Sequence, residues 1–415
     1  MPPHRSPRWR RDETALPGRL RLSLAALLLL AGCVGSGPAA PARKAASVST
    51  TTAAAPAPAP AEATGSWRPV AAPPIPPAGG MATVWTGHQL VAWGGGAGGG
   101  GNWQASEDGI AYDPGADRWE VLPRAPVPGR IGATAVWSGR EVLFWGGQSD
   151  PTSARADGAA YDPAAHRWRT LPPAPIGGRT QHQAVWTGRE MLVWGGYGRC
   201  CPIDSVIHDP AAAAYDPATN RWRRIADVPP PWSGDDGFAA TTAAGGRPLI
   251  WRRGHLAVYD DATDAWREVP GTAPAPEAPL TGPGRPAATT TDPLALATAA
   301  GPEIFTWTGA GGNRLAGLAY RPSDHTWRRI AAFDGQFGAQ LAPAGTDRLY
   351  AAAGQSARVL EYRIADDRWT ELPLAPVPTR SGAVLAWTGS ELLYWGGNGD
   401  EGPEMDGAAW RPSAP

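Results

Sequence analysis

Three arginines occupy one recurring position. Arg130, Arg179 and Arg380 each stand seven residues before a tryptophan that opens a Trp-x-Gly turn, at Trp137, Trp186 and Trp387. A guanidinium is a planar fork that grips carboxylates bidentately, so three of them around one mouth would select an acidic ligand. Asp236, Asp292, Phe337 and Ala78 fall at the same position in other copies of the unit described below. Two off-register tryptophans, Trp103 and Trp232, lie in loops, where an indole would stack on a sugar or a partner. This set suits binding of an acidic or polar ligand. An acid–base pair would have to come from Asp236, Asp292 and His182. A structural alternative competes: Asp157 and Asp406 open strands on the same face and would hold Arg130 or Arg380 internally.

Other chemistry is sparse. Cys200-Cys201 would form a strained vicinal disulfide in an oxidising compartment. The alternatives are a soft-metal site with His208 or His182, or two separate thiols. Gly96 to Gly101 fits G-x-G-x-x-G, but no strand–helix context surrounds it, so no nucleotide site is expected. Metalloprotease, nucleophile-elbow and EF-hand patterns are absent from the sequence. No cofactor and no resident metal are expected. The formal net charge of −1 removes the electrostatic case for nucleic acid.

The elements that must position these residues repeat. Ala133 to Leu171 holds four short apolar runs: one ending in Trp137, one ending in Trp145 before Gly146-Gly147, one ending in Tyr161, and one carrying Arg167-Trp168. That is the content of one propeller blade. The fourth-run tryptophan recurs at Trp67, Trp119, Trp168, Trp222, Trp266, Trp327 and Trp369, a period of roughly 50 residues. A tyrosine precedes it by seven residues at Tyr112, Tyr161, Tyr215, Tyr259, Tyr320 and Tyr362, and Trp410 fills the last such slot. Trp67 lacks three preceding strands, and Trp410 lacks a following one. The simplest architecture is all-β: a seven-bladed β-propeller whose N-terminal strand completes the last blade and leaves no open edge. Of the 21 tryptophans, 18 fit this register and are expected to pack between blades.

These residues resemble the kelch repeat. The likeness covers about 65–415 and is strong where Trp-x-Gly (Trp85, Trp137, Trp186, Trp387) accompanies the doublets Gly94-Gly95, Gly146-Gly147, Gly195-Gly196 and Gly396-Gly397. The fourth, fifth and sixth copies are degenerate. The resemblance implies a galactose-oxidase central-domain-like propeller and a basic residue at the arginine position. Copper-radical oxidases of that superfamily need Tyr, Cys and two His converging. Here only Tyr197, beside Cys200-Cys201, stands outside the repeat and core positions, so that activity is not expected.

Ahead of the repeats, Arg5, Arg8, Arg10, Arg11, Arg19 and Arg21 precede the apolar run Leu22 to Ala31. The run is too short to span a bilayer stably. Leu30-Ala31-Gly32-Cys33 resembles a bacterial lipobox, which implies lipidation of Cys33. The expected organisation is a signal peptide at 1–32, a lipidated Cys and Ala/Pro-rich disordered linker at 33–64, and the propeller at 65–415. The expected place is the bacterial cell envelope. The protein would be lipid-anchored on the outer side of the cytoplasmic membrane or in the outer membrane, and monomeric. The expected function is non-catalytic binding of a glycan, an acidic ligand or an envelope protein through the face bearing Trp103, Arg130, Arg179, Trp232, Asp236, Asp292 and Arg380. The alternative is a sugar-active enzyme similar to the kelch proteins that epimerise sialic acid.

Overall fold

A tyrosine and a tryptophan seven residues apart are what a four-residue turn sets side by side across an antiparallel hairpin. They are direct cross-strand partners at Tyr112↔Trp119, Tyr161↔Trp168, Tyr215↔Trp222, Tyr259↔Trp266, Tyr320↔Trp327 and Tyr362↔Trp369. Their ring centroids lie 4.8–5.2 Å apart. Each turn needs one left-handed residue, supplied by Asp117, His166, Asn220, Asp264, His325 or Asp367 at φ of 47–56°. Asp, Asn and His tolerate that region better than other side chains. Each one's side chain also hydrogen-bonds the tyrosine hydroxyl, at 2.6–3.0 Å. Burial, and then the bond to Asp117, push the Tyr112 hydroxyl up to about 12.

The computed structural model describes residues 63–76, 78–97, 104–150, 153–198, 210–230, 240–244, 246–252, 255–269, 295–309, 314–335 and 339–413. They lie in one compact unit, Ala59–Pro415, and contain no helix. Seven antiparallel sheets form the blades of a propeller. Blade 1 is Ala82–Trp85, Leu90–Trp93, Gly109–Asp113 and Arg118–Val121. Blade 2 is Ile131–Trp137, Val142–Asp150, Gly158–Asp162 and Arg167–Thr170, with a short fifth strand, Ser153–Ala154. Blade 3 is Gln183–Trp186, Met191–Trp194, Ala212–Asp216 and Arg221–Ile225. Blades 4, 5 and 6 begin at Ala240–Ala244, Ala295–Ala300 and Gln340–Ala344. Their sequence signals are degenerate, yet each builds four strands. Blade 7 takes Val384–Trp387, Leu392–Trp395 and Gly407–Pro412 from the end of the chain and Gly65–Pro69 from its beginning, with Trp67 opposite Trp410.

Apolar side chains pack between neighbouring blades, so the core is a ring of clusters rather than one centre. The second-strand indoles Trp93, Trp145, Trp251, Trp307 and Trp395 are fully buried there. Polar ties run beside this packing. The indole N–H of Trp119 donates to the Ala71 carbonyl, four residues past the fourth-strand tryptophan of the preceding blade, at 2.6 Å. The same bond recurs from Trp168 to Pro123, Trp222 to Pro172, Trp266 to Ala226, Trp369 to Ala331 and Trp67 to Pro373.

The residue after that tryptophan carries a second tie. Arg68, Arg169, Arg223 and Arg328 donate to Glu391, Glu141, Glu190 and Glu303 at 2.6–2.8 Å, and each glutamate sits at the start of its blade's second strand. Arg68 and Arg169 also donate to the tyrosine hydroxyl of the following blade. The hydrogen bond from Arg328 holds the Glu303 carboxyl below the usual carboxylate range despite its burial. Blade 6 rearranges the charges. Arg348 stands at the glutamate position and Thr370 at the arginine position, so Glu361 accepts from Arg363 at 2.9 Å and from the Tyr350 hydroxyl at 3.1 Å.

Arg223→Met therefore strands the buried Glu190 carboxylate, and urea denaturation should show a loss of about 3–5 kcal/mol. Adding Glu190→Gln should restore most of it. A double variant as unstable as Arg223→Met would mean that the arginine matters through packing alone.

Candidate functional site

The face carrying the second-to-third strand loops and the blade-to-blade connections is shaped by the glycine doublets. All eight glycines at 94–95, 146–147, 195–196 and 396–397 have φ of 66–101°. Two successive left-handed residues turn the backbone sharply, and only glycine does this without strain. The first N–H of a doublet donates to the carbonyl that opens the third strand: Gly94 to Asp108, Gly146 to Asp157 and Gly396 to Asp406, at 2.9–3.1 Å. The second donates to the next blade, Gly95 to the Arg130 carbonyl at 2.7 Å and Gly147 to the Arg179 carbonyl at 2.8 Å. A Cβ at Gly94 would sit 2.6 Å from the Arg130 carbonyl oxygen.

The three arginines serve this junction. Arg130 is buried, with 1% of its surface exposed. Its Nη1 donates to the carbonyls of Gly146 at 3.1 Å and Asp157 at 2.8 Å, its Nη2 to the Asp157 carboxylate at 2.9 Å, and its Nε to the Pro128 carbonyl. Arg380 repeats the pattern on Gly396, Asp406 and Pro378, with its Nη2 2.6 Å from the Asp406 carboxylate. The Arg179 guanidinium is equally buried and donates to the Gly195 carbonyl at 3.0 Å. The left-handed doublet leaves carbonyls aimed into the interior, and buried carbonyls need donors. The expectation that these guanidiniums face a ligand is therefore corrected: Arg130 and Arg380 staple the first three strands of their own blades, as the competing pairing with Asp157 and Asp406 anticipated, and Arg179 ties the start of its blade's first strand to the end of the second.

His182 is corrected as well. It is 3% exposed and lies between blades 2 and 3. Its Nε2 is 2.8 Å from the Thr134 hydroxyl, and its ring meets Trp145 edge-on at 4.9 Å. Gly146 closes over it, since a Cβ there would lie 2.5 Å from the imidazole. Burial, and then the nearby Arg179 charge, lower its pKa to about 3. A neutral imidazole sealed between blades cannot exchange protons with a substrate. Ala78 is buried too. Trp103, Trp232, Asp236, Asp292, Phe337, His208, Cys33, Cys200 and Cys201 lie outside the described residues.

Beyond the doublets the first two strands of four consecutive blades resume pairing. The partners are Gly79↔Gly96, Ile131↔Gln148, Thr180↔Tyr197 and Ser381↔Asn398. Three of these extensions become hairpins: Gly96–Ala97 with Gln104–Ala105, Gln148 to Asp150 with Ser153–Ala154, and Asn398–Gly399 with Gly402–Pro403. They stand on this face over blades 7, 1 and 2. Half-exposed polar groups lie on or beside them: Arg155 with Asp150 at 3.4 Å and with Ser149 at 3.2 Å, Arg124 with Glu107, and the exposed Asn398. Such ion pairs contribute little stability in water, about 0–1 kcal/mol, so a ligand can replace them. The paired segments of these hairpins are two or three residues long, too short to leave a periodic pattern in the sequence. The Asn398-Gly399 and Gly402 signals were the only trace.

Among the described residues no group of three or more His, Cys, Asp and Glu is placed to hold a metal. Tyr350 and Tyr394 are core residues, and the six repeat tyrosines are bonded to their turn partners. Tyr197 pairs with Thr180 beyond the end of the second strand of blade 3, and Cys200, Cys201 and His208, its companions in the sequence, lie outside the described residues.

Residues 80–281 match the family described as the KLHDC2/KLHL20/DRC7 Kelch-repeats domain. No curated protein matches the chain. Among solved structures it is similar to a fungal alcohol oxidase described by its catalytic diversity among the AA5 family and solved in complex with copper. The TM-score is 0.61 at 15% identity, over 84% of this chain and 76% of that one. At that identity the likeness is one of fold alone, a propeller, and the Kelch-repeats match covers residues 80–281.

The neutral state of His182 has a pH signature. Its folded pKa lies below the unfolded value near 6.5, so protons bind the unfolded chain preferentially as pH falls. Its contribution is present above about pH 6.5 and is lost progressively between there and pH 3. His182→Gln should flatten the denaturation midpoint across that window. An unchanged slope would place the imidazole in water.

Proposed function

We propose that this protein is a non-catalytic binding module, held on the outside of a bacterial membrane by a lipid on Cys33. It engages a polar or acidic ligand, a glycan or an envelope protein, with the raised loop face of blades 7, 1 and 2. The hairpins that the described residues build on that face carry the reading. Three consecutive blades extend hairpins there, while the frame beneath is stapled by buried arginines. Variable loops on a rigid frame are where recognition concentrates. A propeller by itself does not dictate an activity, and the kelch match speaks for a binding module at that level only. Cys33 enters from its lipobox and the basic segment before it.

Two measurements test the two halves. A glycan and organic-acid binding screen on the intact protein should find a ligand whose affinity falls at least tenfold in Asp150→Asn/Arg155→Gln or in Trp103→Ala, whose position lies between the paired strands of the blade 1 hairpin. Binding that ignores all of these changes would move the site elsewhere. Metabolic labelling with a radioactive fatty acid should mark the parent chain and not Cys33→Ser, which should leave the membrane fraction. Label on the serine variant would refute the anchor.

A further inference from the structure

The opposite face has an aromatic arc that the loop-face reading does not use. Trp85, Trp137, Trp186 and Trp387 end the innermost strands of blades 1, 2, 3 and 7, so they border the other mouth of the central channel. The sequence places them with the interior packing tryptophans. In the structure each rests against an inter-blade cluster yet stays half-buried. Trp387 stacks on Tyr350 at 5.6 Å and 24°. No hydrogen bond is made by any of the four indole N–H groups, in contrast to the six fourth-strand indoles. None of the four nitrogens is sealed in the interior either, as those of Trp327 and Trp410 are.

The arc is one-sided. The same register position is Ala243 in blade 4, Ala299 in blade 5 and Pro343 in blade 6, opposite Pro248, Ile304 and Leu349 as Trp137 is opposite Val142. Four contiguous blades thus contribute indoles and the other three contribute small residues. The indoles at this mouth therefore fall in four neighbouring blades of the ring.

The charges around this mouth are engaged outward. Arg140 reaches Asp162 at 3.8 Å and Arg189 reaches Asp216 at 3.7 Å, both toward the third strand. Glu141, Glu190 and Glu391 are held by Arg169, Arg223 and Arg68. The hydroxyls of Thr86, Ser138, Thr187 and Thr388 close their own turns. The turn glycines Gly87, Gly139, Gly188 and Gly389 meet nothing within 4 Å of a built Cβ, so the rim is open. What this mouth offers in blades 7, 1, 2 and 3 is apolar surface and unengaged N–H donors; the exposed Arg247, at the corresponding turn of blade 4, is a charge without an ion-pair partner among the described residues.

We infer that Trp85, Trp137, Trp186 and Trp387 form a second binding site, on the channel mouth opposite the loop face, for a neutral saccharide. A pyranose ring presents a C–H face to an indole and hydroxyl oxygens to its N–H. Within the four indole-bearing blades an acidic sugar would meet no unpaired cation, and desolvating its carboxylates there would cost affinity. The site goes beyond the loop-face function and shares no residue with it.

The test is titration calorimetry of the full chain, solubilised in mild detergent, with maltohexaose, cellohexaose and xylohexaose, and with hexagalacturonate as the charged comparison. At least one neutral hexasaccharide should bind with a Kd below about 1 mM. Trp137→Phe and Trp186→Phe keep an aromatic face and remove the N–H, and each should weaken binding at least fivefold with near-ultraviolet dichroism retained. Asp150→Asn/Arg155→Gln, on the loop face, should leave it unchanged, which separates failure of this site from failure of that one. The inference is overturned if no neutral sugar binds, if both Phe variants bind like the parent, or if only hexagalacturonate binds. It is overturned equally if an Ala-Pro repeat peptide occupies the arc in place of sugar, since the arc would then recognise polyproline.

Discussion

The indole-to-carbonyl hydrogen bond between consecutive blades is the constraint on which the remaining architecture rests. A propeller blade is a small sheet with two apolar faces and no core of its own. It is stable only when neighbours cover both faces, and the cover must hold at one angle for the ring to close. Trp119, Trp168, Trp222, Trp266, Trp369 and Trp67 each bury an aromatic face against a tyrosine or Trp410 and anchor the indole edge to the preceding blade. Packing alone tolerates sliding. A directed bond at the far edge of a rigid ring does not.

From that tie the two faces diverge. On the turn face, the residue following the tryptophan is an arginine in five blades, and in four of them it clamps a glutamate of its own blade. In two of them it also reaches the next blade's tyrosine hydroxyl. On the loop face the glycine doublets bend the chain so sharply that carbonyls point inward. Arg130, Arg179 and Arg380 neutralise them. Recognition is left to what these scaffolds do not occupy: the hairpins beyond the doublets on one face and the indole arc on the other.

Legibility in the sequence followed the nature of each signal. Trp and Tyr seven apart, with Asp-Pro or a related turn between them, is a local signal, and it marked six hairpins and their order. Trp-x-Gly and Gly-Gly encode left-handed φ values that few other residues reach, so they located the turns. Blades 4, 5 and 6 lost those marks at Trp251-Arg252, Ala300-Gly301 and Ala352-Ala353 but kept the apolar alternation that pairing with neighbours requires. The arginine position was visible, but not its direction. Whether Arg130 faces a channel or its own Asp157 depends on where the carbonyl of Gly146 points, sixteen residues away.

The sequence by itself determined the number of blades, the strand order within each and the residues that terminate strands, because period, turn chemistry and cross-strand spacing are short-range. The tertiary structure alone decided burial and partnership. It made Arg130 and Arg380 staples instead of ligands' partners, sealed His182 as a neutral ring between two blades, and left four first-strand indoles half-open while five second-strand indoles vanished inside. Those outcomes depend on the angle between neighbouring blades. That angle is set jointly by all seven interfaces, and no local run of residues encodes it.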